Sequence, residues 1–221
     1  MPARFVFQIA LCGLFFLGGA SIAQANYYDE PREIDVTGPY TQAATGMVFP
    51  ESVGDFQRDG VVSYNSERTD ESATYIQERD GKESVAITVY VYPVPADLGS
   101  ALSQALPKED LVGAWYMLGQ QLFDEEEQGI IELHRNAELV TGGETSFDQH
   151  GVSYPGAMST FRYDENFFGR VQKVRSELIL FPMVGGKWMV KYRVTYPDGI
   201  EGAAQTNAFI HALAWTIRGL K

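Results

Sequence analysis

The stretch Ser84–Tyr92, Ser-Val-Ala-Ile-Thr-Val-Tyr-Val-Tyr, leaves little choice about its local structure. Side chains along a strand alternate between faces, so Val85, Ile87, Val89 and Val91 share one side and Ala86, Thr88, Tyr90 and Tyr92 the other. One face is wholly aliphatic, and the other mixes rings with small side chains. Both are coverable, which predicts a central strand. A second run, Trp188–Tyr196, alternates likewise. Trp188, Val190, Tyr192, Val194 and Tyr196 fall on one face, with Met189, Lys191, Arg193 and Thr195 on the other. This predicts a half-buried antiparallel strand with its cations outward.

Around these runs the rest of the chain falls into order. Val53-Gly54-Asp55-Phe56 reads as a turn that sets Phe56 into the core. Short strands are expected at Val61–Tyr64 and Ala73–Gln77. Asp80-Gly81 is a two-residue hairpin signal, since both central positions favour positive φ. Beyond Pro93 and Pro95, Asp97 can cap a helix carrying Leu98, Ala101, Leu102, Ala105 and Leu106 at helical spacing, stopped by Pro107. A second helix follows, with Leu111, Trp115, Leu118, Leu122 and Phe123 on one face. It is expected to fray at Asp124–Glu127, because acids at a C-terminus oppose the macrodipole. Ile130–Leu133 and Ala137–Val140 read as strand, bent at Arg135-Asn136, and Gly142-Gly143 as a turn. Thr145–His150 and Val152–Tyr163 form a pair about Gly151, and Val171–Phe181 turns at Gly185-Gly186 into Trp188–Tyr196. After Pro197-Asp198-Gly199 a last helix is expected, its stripe formed by Thr206, Phe209, Ile210, Leu213, Ala214 and Ile217, with Arg218 and Lys221 at its end. Strands, helices, strands, helix is the order of an α+β fold, an antiparallel sheet packed by helices.

Residues 1–25 read as a secretory signal peptide: Arg4, an apolar run over Phe5–Leu17, and an A-x-A site at Ala23-Gln24-Ala25. Cleavage near Ala25 removes Cys12, the only cysteine, so the mature chain is expected to lack disulfides, thiol chemistry and any transmembrane anchor. A periplasmic location is expected, with secretion as the alternative. Residues 26–45 read as an extended or disordered lead-in, and residues 46–221 as one α+β domain. At 221 residues and 45% hydrophobic, the chain holds enough apolar mass for that core. A net charge of −12 argues against binding to nucleic acid or to an anionic lipid surface.

Certain residues carry a family resemblance. Phe49-Pro50 precedes Gly54-Asp55-Phe56, and a hairpin leads into Val85–Tyr92 and crosses to a helix. A long hairpin ends Tyr192-Arg193-Val194-Thr195-Tyr196, before a helix with Phe209 and Ile217-Arg218. Over about residues 46–221 this order resembles the Mog1/PsbP-like superfamily, which includes DcrB-type periplasmic proteins. The resemblance implies an α-β-α sandwich and a non-catalytic binding or assembly role, with no catalytic residues to carry over. A cystatin/NTF2-like cone is the competing fold.

No catalytic, cofactor-binding or metal-binding residue can be assigned from the sequence. His134, His150 and His211 share no ligand spacing. Ser146, Asp148 and His150 stand too close in sequence for a triad, whose members act from separate elements. Asp124–Glu127 reads as a solvated charge run, without the frame of a calcium loop. Gly185-Gly186-Lys187 lacks the phosphate-loop frame. Trp115, Tyr116, Trp188, Tyr192, Tyr196 and Trp215 are a surplus of rings, expected mainly in the core, with an aromatic groove as the sharper reading. The function expected is therefore that of an exported, non-enzymatic periplasmic protein, binding an envelope partner or a small ligand, with envelope maintenance as its setting. Two alternatives stand beside it. One is a periplasmic hydrolase with a carboxylate pair in a sheet–helix cleft. The other is an inhibitor or aggregation-blocking module, which needs a long unprotected edge strand.

Overall fold

A computed structural model describes residues 30–79, 82–95, 111–134, 136–218 and 220. The signal-peptide reading, the Asp80-Gly81 turn, the Asp97–Leu106 helix and Arg135 lie outside the described residues. So do the side chains of Trp115 and Tyr116.

The described chain is an α+β fold built on one antiparallel sheet. In chain order its strands are β1 (Arg32–Glu33), β2 (Tyr40–Thr41), β3 (Val48–Phe49), β4 (Ser52–Val53), β5 (Phe56–Ser63), β6 (Glu71–Arg79) and β7 (Lys82–Pro93). Helix α1 (Leu111–Leu133) follows, then β8 (Glu138–Gln149), β9 (Val152–Phe167), β10 (Arg170–Val184), β11 (Trp188–Pro197) and helix α2 (Gly202–Ala212). The main sheet runs β1-β5-β6-β7-β11-β10-β9-β8, with β4 also on β5, while β2 and β3 form a separate pair. β7 sits mid-sheet, hydrogen-bonded to β6 and β11, and Val85, Ile87, Val89 and Val91 are fully buried.

Each face carries its own core. On one, the β7 valines, Tyr75, Tyr192, Val194 and Phe181 meet Phe209 and Ile210 of α2 and the following Leu213, Trp215 and Ile217. On the other, Phe123 and Ile130 of α1 meet Phe161, Tyr163, Val174, Leu178 and Met189. Helices thus cover both faces in three layers, rather than one face as in a cystatin-like cone. Close approach fixes both helices. A Cβ on Gly119 of α1 would sit 2.6 Å from the Pro182 ring, and one on Gly202 of α2 only 2.4 Å from the Tyr196 ring.

Several local expectations are corrected. Ile130–Leu133 is helix, not strand: Ile130 is buried against β9 and β10, so α1 runs on through the acids instead of fraying there. Gly142-Gly143 is not a turn but lies within β8, paired with Ser159 and Met158. The last helix stops at Ala212. Leu213, Trp215 and Ile217 are buried while Ala214 and Thr216 are exposed, so the segment alternates with period two. The cations of β11 are not outward: Lys191 is buried beneath α1. Four of the surplus rings, Trp188, Tyr192, Tyr196 and Trp215, are core residues.

Residues 30–45, expected as a lead-in, are extended and packed against the domain. Arg32–Glu33 pairs with β5, and Tyr40 pairs with Phe49. Gln42 and Thr45 are fully buried. The Tyr40 hydroxyl donates to the buried Glu71 carboxylate at 2.7 and 2.8 Å, and Arg68 Nε donates to the same group at 3.0 Å. Burial and the Glu71 carboxylate push the Tyr40 hydroxyl up to about 12, keeping it a donor. The two ends of the fold are stitched together here. Arg218 N donates to Thr45 O at 2.7 Å, Val48 N to Thr216 Oγ1 at 2.7 Å, and Thr216 Oγ1 to Gly46 O at 2.8 Å.

Candidate functional site

Three places in the fold gather chemistry. The first lies between the sheet and α1. β11 sends Lys191 to this face, and the helix pitch brings Glu126 over it: Nζ stands 2.6 Å from Glu126 Oε1. The ammonium also lies 4.6 Å from the Tyr90 ring centroid and 5.5 Å from that of Tyr92, a cation–π arrangement. Burial alone would lower the Lys191 ammonium. The Glu126 carboxylate and the tyrosine surroundings outweigh it and hold the group above its ordinary range. Asp70 borders the same charges. Burial pushes its carboxyl up to about 6, with Lys191 pulling down and Glu126 and Glu71 adding to the rise. Tyr64 stacks on Tyr90 and its hydroxyl meets Ser72 Oγ at 3.1 Å. The neighbouring Glu127 accepts from Ser159 Oγ. The acid run is therefore not wholly solvated: Asp124 and Glu125 are exposed, but Glu126 and Glu127 bind the sheet.

Beside it, Arg193 Nη2 donates to Ser176 Oγ at 3.2 Å and to Tyr163 OH at 3.4 Å, while its Nε is buried without a hydrogen-bond partner. His134 stacks on Tyr163 at 3.8 Å between centroids, with Nδ1 3.3 Å from Glu165 Oε2. Burial lowers its pKa, against the pull of Glu165. The three histidines stay apart in the fold: His134 follows α1, His150 sits in the β8–β9 turn, and His211 is exposed on α2. Among the described residues no three of His, Cys, Asp and Glu group as a metal site requires.

The second place is an open groove of about 320 Å³ between the β4–β5 turn and α2. Val53, Phe56, Ala208 and Phe209 give it apolar walls, and its one acid is Asp55. Asp70 and Glu126 do stand on different elements. They converge on a buried ammonium rather than on this groove, so neither place presents the acid pair that glycoside chemistry needs.

The third place is the sheet's far edge. β8 is a twelve-residue strand with β9 on one side and, among the described residues, no strand on the other. Ser146 and Asp148 lie on it two residues apart, and His150 occupies the turn at φ +54°. These three residues follow one strand into its hairpin and meet no second element that would make a triad. The edge was unreadable from the sequence, because Gly142-Gly143 resembles a turn that would have split it.

No protein-family model matches the chain, and no curated protein matches it. Solved structures do. One is a Bacteroides thetaiotaomicron protein, 14% identical with a TM-score of 0.42, over 84% of this chain and 51% of that one. This chain thus spans about half that protein's length. Another is the Saccharomyces cerevisiae Ran-binding protein Mog1p, 18% identical with a TM-score of 0.34, over 82% of this chain and 87% of that one. A Mog1 mutant matches at 18% identity and a TM-score of 0.33, over 83% and 89%. Mog1 is the name the sequence resemblance pointed to, and at this identity the likeness concerns fold alone. No helix among the described residues is long and apolar enough to cross a membrane.

Proposed function

We propose that this chain is an exported, non-enzymatic protein that acts in the bacterial envelope by binding a partner protein or a small ligand. The observation that carries this reading is where its buried charges point. Glu71 is bound by Tyr40 and Arg68, Glu126 by Lys191, and Glu177 by Tyr196 at 2.7 Å. Each of these acids is already hydrogen-bonded within the fold, where a buried carboxylate needs such partners. A general acid or base must instead reach a substrate's proton. The surfaces left over are a groove with one acid and a long open edge, features suited to recognition.

Two measurements test this. Intact mass on fractionated cells expressing the full chain should find a species beginning at Asn26 in the soluble periplasmic fraction. Affinity purification from that fraction, with a thermal-shift screen of small ligands, should then yield a specific partner or a stabilising ligand. Neither a partner nor a ligand, with turnover of a glycoside or ester substrate, would overturn the reading in favour of the hydrolase.

A further inference from the structure

The two edges of the main sheet differ in kind. At one, two-residue strands β1 and β4 cover β5, and Pro31 and Arg32 stand at the rim, the usual means of discouraging further pairing. At the other lies β8, twelve residues long, with residues 138–144 all exposed. It carries neither lysine nor proline. Its one irregularity, a register shift between Leu139 and Thr141, sits near its start and leaves Thr141–Gln149 regular.

The hairpin geometry identifies which backbone groups face outward. β8 joins β9 through His150 and Gly151, both at positive φ, in a two-residue loop flanked by the pair Gln149↔Val152. In such a loop the flanking pair exchanges both hydrogen bonds, and bonded and non-bonded pairs alternate from there. Gln149, Phe147, Thr145 and Gly143 therefore bond inward to β9. The amides and carbonyls of Gly142, Ser146 and Asp148 point away from the sheet, as does the backbone of Glu144 between them. Gly142 and Gly143 are in ordinary strand conformation, and a Cβ on Gly143 would meet nothing within 4 Å. Glycine within a strand marks a place where another backbone can come close.

Charge selects the occupant. Every charged residue of β8 is acidic: Glu138, Glu144 and Asp148. Glu127 of α1 reaches Ser159 on the adjoining β9, and the exposed Asp124 lies one turn before it on the helix. The whole chain carries −12. A second copy would lay this acidic edge against itself, an arrangement like charges disfavour.

We propose that the outer edge of β8, from Gly142 to Asp148, receives an extended peptide segment bearing lysine or arginine from a partner protein, added as a further antiparallel strand. This rests on the binding reading above and names the chemistry of the partner. Main-chain bonds supply the affinity, and alternating cations opposite Glu144 and Asp148 supply the selectivity.

The probe is a labelled peptide of alternating Lys and Val, about ten residues long to span the edge. It is titrated into the chain as purified from the expressing cell, beside its Glu–Val counterpart. The Lys–Val peptide should bind, more weakly as salt rises, and the Glu–Val peptide should not. Ser146→Pro removes one outward donor and no inward bond. It should raise Kd about tenfold with near-ultraviolet circular dichroism unchanged. The double variant Glu144→Lys with Asp148→Lys keeps the ladder and should also lose the Lys–Val peptide, so it carries the test should Ser146→Pro not fold. Equal affinity for both peptides overturns the proposal, as does an unchanged Kd in both variants. Self-association abolished by Ser146→Pro, without peptide binding, gives the edge to a second copy and overturns it too. A wild-type chain that ignores both peptides overturns the edge assignment alone. The binding reading falls only on the purification and ligand screen.

Discussion

The side-chain amide of Gln149 holds the backbone of Trp215 at both ends. Trp215 N donates to Gln149 Oε1 at 2.7 Å, and Gln149 Nε2 donates to Trp215 O at 2.8 Å. One residue at the end of β8 thereby satisfies a chain segment that has left α2 and belongs to no strand. Gln149→Ala leaves two part-buried backbone groups without partners, at a cost of about 2 kcal/mol in urea unfolding. Trp215 packs 4.3 Å from Phe147 and donates its indole N–H to Tyr192 at 2.7 Å. Loosening its backbone should also shift tryptophan emission to longer wavelength.

The pair of Lys191 and Glu126 gives an asymmetric expectation. Glu126→Ala strands a buried ammonium and should cost about 3 kcal/mol. Lys191→Met with Glu126→Leu removes both charges and should restore most of that loss, since apolar replacements of similar volume often match a buried pair. Comparing the single and double variants by chemical denaturation checks it. A double variant as unstable as Glu126→Ala would mean that cation–π contact with Tyr90 and Tyr92 outweighs the ion pair.

Asp70 makes stability depend on pH in the direction opposite to a salt-bridged acid. Its carboxyl titrates at about 6 in the fold because burial disfavours its charge, and near 4 in an unfolded chain. Between those values the folded chain keeps the proton that the unfolded chain has released. This group's contribution therefore falls as pH rises from about 4 to about 6 and stays low above. Asp70→Asn should gain about 2 kcal/mol at pH 7 and only a few tenths at pH 4. Denaturation midpoints of both chains across that window give the answer.

A chain begun at Gly46 should be markedly less stable than one that retains residues 30–45. It loses the Tyr40 hydroxyl from the buried Glu71 carboxylate, and hydrogen bonds to a buried charge contribute about 1.5–3 kcal/mol. It also loses the Thr45 carbonyl that accepts from Arg218. Equal melting temperatures for the two chains would show that the segment packs without contributing.

Strands were legible wherever period two persisted over eight or more residues. β7 and β11 lie where their alternation placed them, because aliphatic side chains on one face leave only one register that buries them. The errors came where two periods agree or a distant partner decides. Leu213 and Ile217 fit a helical stripe by their spacing of four, yet Leu213, Trp215 and Ile217 also fit a strand-like alternation, and the core selects the latter. Reading Trp215 as the middle of that set was the available signal. Asp124–Glu127 marked a helix end only if its acids had no partners. Glu126 and Glu127 have them in Lys191 and Ser159, which are remote in sequence. The Lys191 site was hidden for the same reason: alternation assigns a face to the lysine but not what covers that face. Gly142-Gly143 shows tertiary pairing prevailing over turn propensity, since neither glycine adopts the positive φ a turn would use.

The stitching of Thr216 and Arg218 to Gly46, Val48 and Thr45 has a consequence for timing. Translation makes the first of these residues early and the last almost at the end. A growing chain therefore holds its first strands without the residues that secure them, and the closure between ends comes only at completion. Contacts so distant in sequence are slow to form, because the intervening chain must give up its freedom first. The polypeptide is thus built to acquire its shape as a whole, after release, rather than piece by piece as it emerges.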